Sequence, residues 1–322
     1  MKPEDGSRIL ALVGPTGVGK TAIATIIAGP LDAQIVSVDS MQVYRGMNIG
    51  TAKPSEEERS RAEFHLLDVA DVTSNFSVAE FKSMADDVAA DIIARGRTPL
   101  LCGGSGLYYR AIVDDLDFSN TSESYREELE EELADMSDYE LHLLLSTLDP
   151  AAAAQVSASN RRRVLRAIDV ARRGDRLISE AQHSWSDFSS SYDLLVAGLD
   201  MERHVLYRLL DMRVEAMVRE GLEGEVRSLK EKGLERGTTA GEALGYRQML
   251  DYLAGDTTFS EAIEETKKRT RNLARRQLTW FRKDPRVRWF NIPAEHHDSA
   301  DVIAAKIHSI SGRILEYFSE ES

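Results

Sequence analysis

Short runs of consecutive apolar residues alternate along this chain with stretches whose apolar positions recur every three or four residues, and that alternation predicts an α/β fold. The strand candidates are 9–13, 34–38, 99–102 and 193–198, each ending near a turn or polar residue. Between the second and third runs, Ser77 and Glu80 are spaced as a capping box, and the helical pattern that follows reaches Arg95, with Gly96 as its stop. Apolar runs separated by helical stretches imply parallel strands joined by crossover helices. In such a sheet the ligand belongs beyond the carboxyl ends of the strands. Asp39, Ser40 and the glycines after Cys102 all stand at such ends.

After Phe118 the pattern changes. Residues 119–191 are polar and helical with no convincing strand, broken at Asp149-Pro150 and at Gly174, and they read as an all-helical insertion. The sheet resumes at Leu194, so 1–118 and 192–322 together make the core, with a helical C-terminal part beyond Asp200. The longest helix is expected over roughly 260–283, with Ile263, Thr266, Thr270, Leu273, Gln277, Leu278 and Phe281 along one face. No internal repeat and no low-complexity segment interrupts this organisation.

Composition adds boundaries. Of 322 residues, 42% are hydrophobic and 29% charged, as in an ordinary soluble protein. No apolar stretch approaches a membrane span. The N-terminus runs straight into the first strand, which leaves no room for a signal peptide and points to the cytoplasm. The one cysteine, Cys102, rules out an intrachain disulfide and a cysteine-based zinc site, and it reads as a small core residue. A net charge of −14 argues at first against a nucleic-acid partner. Its distribution argues the other way: residues 161–176 carry seven Arg against two Asp, and 267–288 carry ten Lys or Arg against Asp284, while 123–140 hold nine acids against one Arg. A phosphate backbone responds to local basic patches. Taken alone, each basic run reads as a solvated helix face paired with acids elsewhere.

The chemistry begins at Gly14-Pro15-Thr16-Gly17-Val18-Gly19-Lys20-Thr21, which fits the pattern G-x4-G-K-[ST] between an apolar strand and a helix-capable run. Such a loop turns backbone N–H groups inward around a phosphate, and the following helix adds its positive end. Lys20 would reach the outer phosphate, and the Thr21 hydroxyl would hold a magnesium ion. Asp39 closes the second strand, where a carboxylate serves as a base, holds magnesium through water, or caps a turn. The segment 41–54 is too rich in Gly, Gln, Tyr, Arg and Lys for a plain crossover, and the third strand leads into Gly103-Gly104-Ser105-Gly106, where backbone can approach a ligand closely.

Together these segments resemble the tRNA dimethylallyltransferase (tRNA isopentenyltransferase) family of bacterial type. The shared blocks are GPTGVGKT (14–21), VSVDSMQVYRGMNIGTAKP (36–54), LLCGGSGLY (100–108), RRVLRAIDV (162–170), EGEVRSLKEKG (223–233), LGYRQM (244–249) and RRQLTWFR (275–282). They occur in family order across nearly the whole chain, whereas a generic P-loop kinase shares only the first. The resemblance implies transfer of the dimethylallyl group from dimethylallyl diphosphate to N6 of the adenosine 3′ of a tRNA anticodon, with release of diphosphate. It implies that the loop 14–21 and magnesium hold the leaving diphosphate, that Asp39 accepts the N6 proton, and that Arg227 contacts the diphosphate. It implies tRNA contacts from Asp39, Ser40, Met41 and Gln42, from Ser105, from Arg163 and Arg166, and from Gly245, Tyr246, Arg247 and Gln248. The insertion would grip the anticodon arm. Trp280 and Phe281 read as core aromatics rather than base-stacking surfaces. Two alternatives use the same loop: prenylation of free AMP or ATP, which would leave the Arg163/Arg166 insertion unexplained, and a P-loop kinase or NTPase. A zinc finger, which eukaryotic relatives often append, would need more cysteines than the single Cys102.

Overall fold

The computed structural model describes residues 2–116, 123–173 and 188–320. Gly174 and Arg176 lie outside the described residues, as do the side chains of 123–127.

Six parallel strands form one sheet: β1 (Arg8–Val13), β2 (Ala33–Val38), β3 (Phe64–His65), β4 (Thr98–Gly103), β5 (Asp193–Met201) and β6 (Val287–Ile292), in the order β3-β2-β4-β1-β5-β6. The strands are apolar on both faces because both faces are covered. Ile9, Ala11 and Val13 enter one hydrophobic cluster, and Leu10 and Leu12 enter the other. The helix Val78–Ala94 starts at the Ser77/Glu80 capping box, and Arg95 is its C-cap. Gly96 follows in the left-handed conformation that ends helices, φ 74°.

Two strands depart from the sequence reading, which left 64–65 unassigned and took the chain beyond Asp200 as almost wholly helical. β3 spans only two residues, too few for a periodic signal. β6 pairs with β5 from Val287 to Ile292 at the sheet edge, and its exposed Arg288 and Asn291 hide the apolar alternation. Here sheet pairing decides the conformation and local propensity does not. The long helix runs Phe259–Phe281, with Ala262, Thr266, Thr270, Ala274 and Phe281 buried along the expected side.

By internal contacts the chain divides into two compact units, Met1–Leu116 with Ser190–Ser322, and Asp117–Ser189. The described part of the second unit is helical, with helices Glu123–Glu132, Asp138–Leu148, Pro150–Gln155 and Arg161–Arg173. Its core is its own: Leu129, Leu133, Leu141, Leu145, Val164 and Ile168 pack together. Asp149, buried, caps the third of these helices by accepting the Ala152 N–H at 2.9 Å, with Pro150 at its first turn.

Candidate functional site

Strand register brings the catalytic candidates together. Gly103 is the pairing partner of both Val13 on β1 and Val38 on β2. The three loops that follow these residues therefore leave one edge of the sheet side by side: 14–21, 39–43 and 104–106. Two of these loops need glycine where they press on neighbouring elements. A Cβ on Gly14 would stand 2.7 Å from the Leu199 carbonyl oxygen, and one on Gly106 would stand 2.3 Å from the Trp280 ring. Trp280 thus packs on the loop, as a core aromatic does.

Within 14–21 no described hydrogen bond uses the N–H groups of Gly17 through Thr21, so this run is open to an anion at the start of the helix Lys20–Ala28. Lys20 folds back, donating to the carbonyls of Gly14 at 3.0 Å and Pro15 at 2.7 Å. Burial lowers its pKa to about 8, with Arg213 working the same way and Asp39 partly offsetting it. Arg213, on the helix Arg203–Arg219, reaches the Thr16 hydroxyl at 3.4 Å, and burial holds its guanidinium below the ordinary arginine range. Two desolvated cations thus flank a loop of open N–H groups, and both gain if a polyanion arrives. A cavity of about 600 Å³ reaches Arg213, walled by Ile49, Lys53, Arg59, Met217 and Glu220 among others.

Asp39 uses one carboxylate oxygen for structure. Its Oδ1 accepts the N–H of Met41 at 2.8 Å and of Gln42 at 3.3 Å, which caps the turn after β2. Oδ2 has no described partner. Ser105 joins this turn from the neighbouring loop: its Oγ accepts the Ser40 N–H at 3.2 Å, and its own N–H donates to the Val38 carbonyl. Asp39, Ser40 and Ser105 are therefore one hydrogen-bonded group beside the phosphate loop.

The segment 41–54 is held by partners the sequence reading did not name. Glu225 accepts the N–H groups of Asn48, Ile49 and Gly50, and also the Tyr246 hydroxyl at 2.5 Å. Gln42 links Ser37 to the carbonyls of Thr51 and Ala52. Lys53, with only 2% of its side chain exposed, pairs with Asp68 and donates to the Tyr44 carbonyl.

Other expected site residues have structural bonds of their own. Tyr246 is fully buried, and Gln248 accepts the Gly245 N–H at the start of the helix Tyr246–Leu253. Arg247 pairs with Glu242 and Asp251. Arg227 lies exposed on the helix Leu222–Glu231, bound to Glu223, which raises its pKa. In the second unit, Arg166 and Arg173 both bind Asp169, which is only 1% exposed. Arg161 donates to the carbonyls of Leu133, Ala134 and Met136, and Arg172 pairs with Glu132. Arg162 and Arg163 are exposed, and neither guanidinium has a partner among the described residues. Much of the described basic run is therefore internal scaffolding, and among its described arginines this pair is left without a partner.

Arg213, Glu225 and Gln277 were missed at the sequence level. Gln277 did carry a signal, being a polar residue on the apolar face of the longest helix. Arg213 and Glu225 carried none, since charged residues on helices are ordinarily solvated.

A magnesium ion fits the donor set at the loop. The Thr21 hydroxyl begins the helix without a described partner, and no cluster of three His, Cys, Asp or Glu among the described residues could hold a metal alone. One protein oxygen plus diphosphate oxygens and water is how magnesium is commonly bound. Among the described residues no helix is long and apolar enough to cross a membrane.

Comparison with known proteins agrees with this geometry. The chain is 40% identical to the tRNA dimethylallyltransferase of Halalkalibacterium halodurans over 96% of this chain and 98% of that protein. It is 44% identical to that of Streptomyces coelicolor over 88% of this chain and 90% of the relative. The crystal structure of the full-length tRNA isopentenylpyrophosphate transferase from Bacillus halodurans superposes with a TM-score of 0.70 at 39% identity, covering 99% of this chain and 98% of that one. A eukaryotic dimethylallyltransferase acting on tRNA shares the fold, with a TM-score of 0.75 at 22% identity over 98% of this chain and 85% of the other. The model of the IPP transferase family matches residues 42–284. This chain belongs to the IPP transferase family.

Proposed function

We propose that this protein transfers the dimethylallyl group of dimethylallyl diphosphate to N6 of the adenosine 3′-adjacent to the anticodon in tRNA, and releases diphosphate. The observation that carries this reading is the meeting of two sites at Gly103: an open phosphate loop with two desolvated cations, and a carboxylate with one free oxygen. A P-loop kinase could use the same pair, and the family of the chain separates the two readings. The relatives named above supply the substrate class.

In this reading the allylic C–O bond breaks as the N6–C bond forms, and diphosphate leaves with the bonding electron pair. The N–H groups of Gly17 to Thr21, Lys20 and Arg213 take up the charge that grows on it. Magnesium, held by Thr21 and the diphosphate oxygens, would neutralise part of that charge. The lone pair of N6 is delocalised into the adenine ring, so the nucleophile gains from losing its proton as it attacks. Asp39 Oδ2 accepts that proton while Oδ1 keeps the carboxylate fixed on the 41–42 turn. The adenosine reaches this half-buried group by leaving the anticodon-loop stack, at a cost of about a few kcal/mol. Ser40, Gln42, Ser105 and the 245–248 turn shape its surroundings, and the 117–189 unit grips the anticodon arm. A tRNA acceptor supports a cytoplasmic address.

The test is incubation with magnesium, labelled dimethylallyl diphosphate and either unmodified tRNA or AMP. Label in tRNA is the expected result. Label in AMP alone would make it a free-nucleotide prenyltransferase, and no label in either would overturn the reading.

A further inference from the structure

One polar side chain beside the phosphate loop, Gln277, has no role in the scheme above. On Phe259–Phe281 the buried Thr266 and Thr270 return their hydroxyls to carbonyls of their own helix, whereas Gln277 reaches outward to two loops. Its Oε1 accepts the Thr16 N–H at 2.8 Å, and its Nε2 donates to the Gly104 carbonyl at 3.0 Å. Only one amide orientation satisfies both, because a backbone N–H demands the oxygen and a carbonyl demands the NH2. The contact is built in on the other side too. A Cβ on Gly104 would lie 2.3 Å from Gln277 Nε2 and 3.3 Å from the Gly14 carbonyl oxygen.

We infer that Gln277 is the positioning residue that sets the diphosphate loop against the loop carrying the acceptor. The inference rests on the prenyl-transfer reading. One amide spans the gap from Thr16, in the loop that holds the leaving group, to Gly104. The next residue, Ser105, binds the Ser40 N–H beside Asp39. By taking the Thr16 N–H, Gln277 also leaves the diphosphate the run from Gly17 onward. In this role Gln277 acts through the Thr16 and Gly104 backbone. It fixes the separation of leaving group and nucleophile, on which an in-line displacement depends steeply.

That role separates rate from affinity. In Gln277→Ala, dissociation constants for inorganic diphosphate and for tRNA, each measured alone, should move by less than about threefold, while the single-turnover rate falls about 10²-fold. Gln277→Glu keeps the acceptor for Thr16 but loses the donor to Gly104 until it is protonated. Its rate relative to wild type should therefore rise as pH is lowered, whereas the alanine variant's ratio stays flat. Variants as fast as an active wild type would overturn this inference alone, as would a rate loss matched by lost diphosphate affinity. A wild-type protein that binds diphosphate but alkylates no tRNA would overturn the prenyl-transfer reading, and this inference with it.

Discussion

Tyr246 donates its hydroxyl to Glu225 at 2.5 Å, and the same carboxylate receives three consecutive backbone N–H groups, from Asn48 to Gly50. One acid on a C-terminal helix thereby orders the segment that follows Asp39. A Cβ on Gly50 would stand 2.5 Å from the Tyr246 ring, so the backbone lies flat against it. Burial and the Glu225 charge push the Tyr246 hydroxyl far above its ordinary pKa, so it remains a donor at any working pH. Glu225→Ala should lower stability by about 3 kcal/mol and Tyr246→Phe by about 1.5 kcal/mol, since each loses a hydrogen bond to a charged group. Urea denaturation reads both, and equal stability of all three proteins would reject the hub.

Asp39 Oδ1 holds the turn after β2, and the proposed reaction uses Oδ2. Asp39→Asn keeps an oxygen for the Met41 N–H but cannot take a proton, so single-turnover rate should fall by about 10²–10⁴-fold with the tRNA dissociation constant nearly unchanged. A matching loss of tRNA affinity would return Asp39 to the role of a turn cap.

Lys20 makes diphosphate binding pH-dependent. Burial holds it near 8 in the free protein, below its ordinary 10.5, and a bound diphosphate favours its charged form. Binding therefore takes up a proton wherever Lys20 starts neutral. Affinity for dimethylallyl diphosphate should be flat below about pH 8 and should fall above it, approaching about tenfold per pH unit. Calorimetric titration across that range checks the slope, which Lys20→Ala should remove.

Two arginines can be compared directly. Arg213 touches the phosphate loop, whereas Arg227 is exposed and bound to Glu223. Arg213→Ala should raise the KM for dimethylallyl diphosphate by about tenfold or more, since it deletes a desolvated charge-assisted contact. Arg227→Ala should change it less. Steady-state kinetics on the two variants decides the order.

On the basic helix Arg161–Arg173 the arginines should separate by partner. Arg163→Ala should reduce the salt slope of tRNA binding by about 1 and leave folding intact. Arg166→Ala should instead destabilise the protein by about 2 kcal/mol, because it strips one partner from the buried Asp169. Filter binding at graded salt and thermal unfolding distinguish the two.

Apolar runs and caps made β1, β2, β4, β5 and the Ser77 helix legible without coordinates, because their signals are local: continuous hydrophobicity, a capping box and a terminal glycine. The loop 14–21 was legible for the same reason, since its function lies in backbone geometry that its own glycines permit. β6 was not, because its conformation comes from pairing with β5 at the sheet edge. Gln277, Arg213 and Glu225 lie from about 175 to 261 residues away from the loops they serve, so no window of sequence contains both partners of the contact. The chain alone determined the strand–loop–helix with its phosphate-loop pattern and the acid at the end of β2. Only the tertiary structure decided which distant side chains hold those loops in register, and which arginines of the basic run are left for a partner. Side-chain hydrogen bonds and ion pairs between distant residues form only where folding brings the groups together, and residue type by itself does not reveal them.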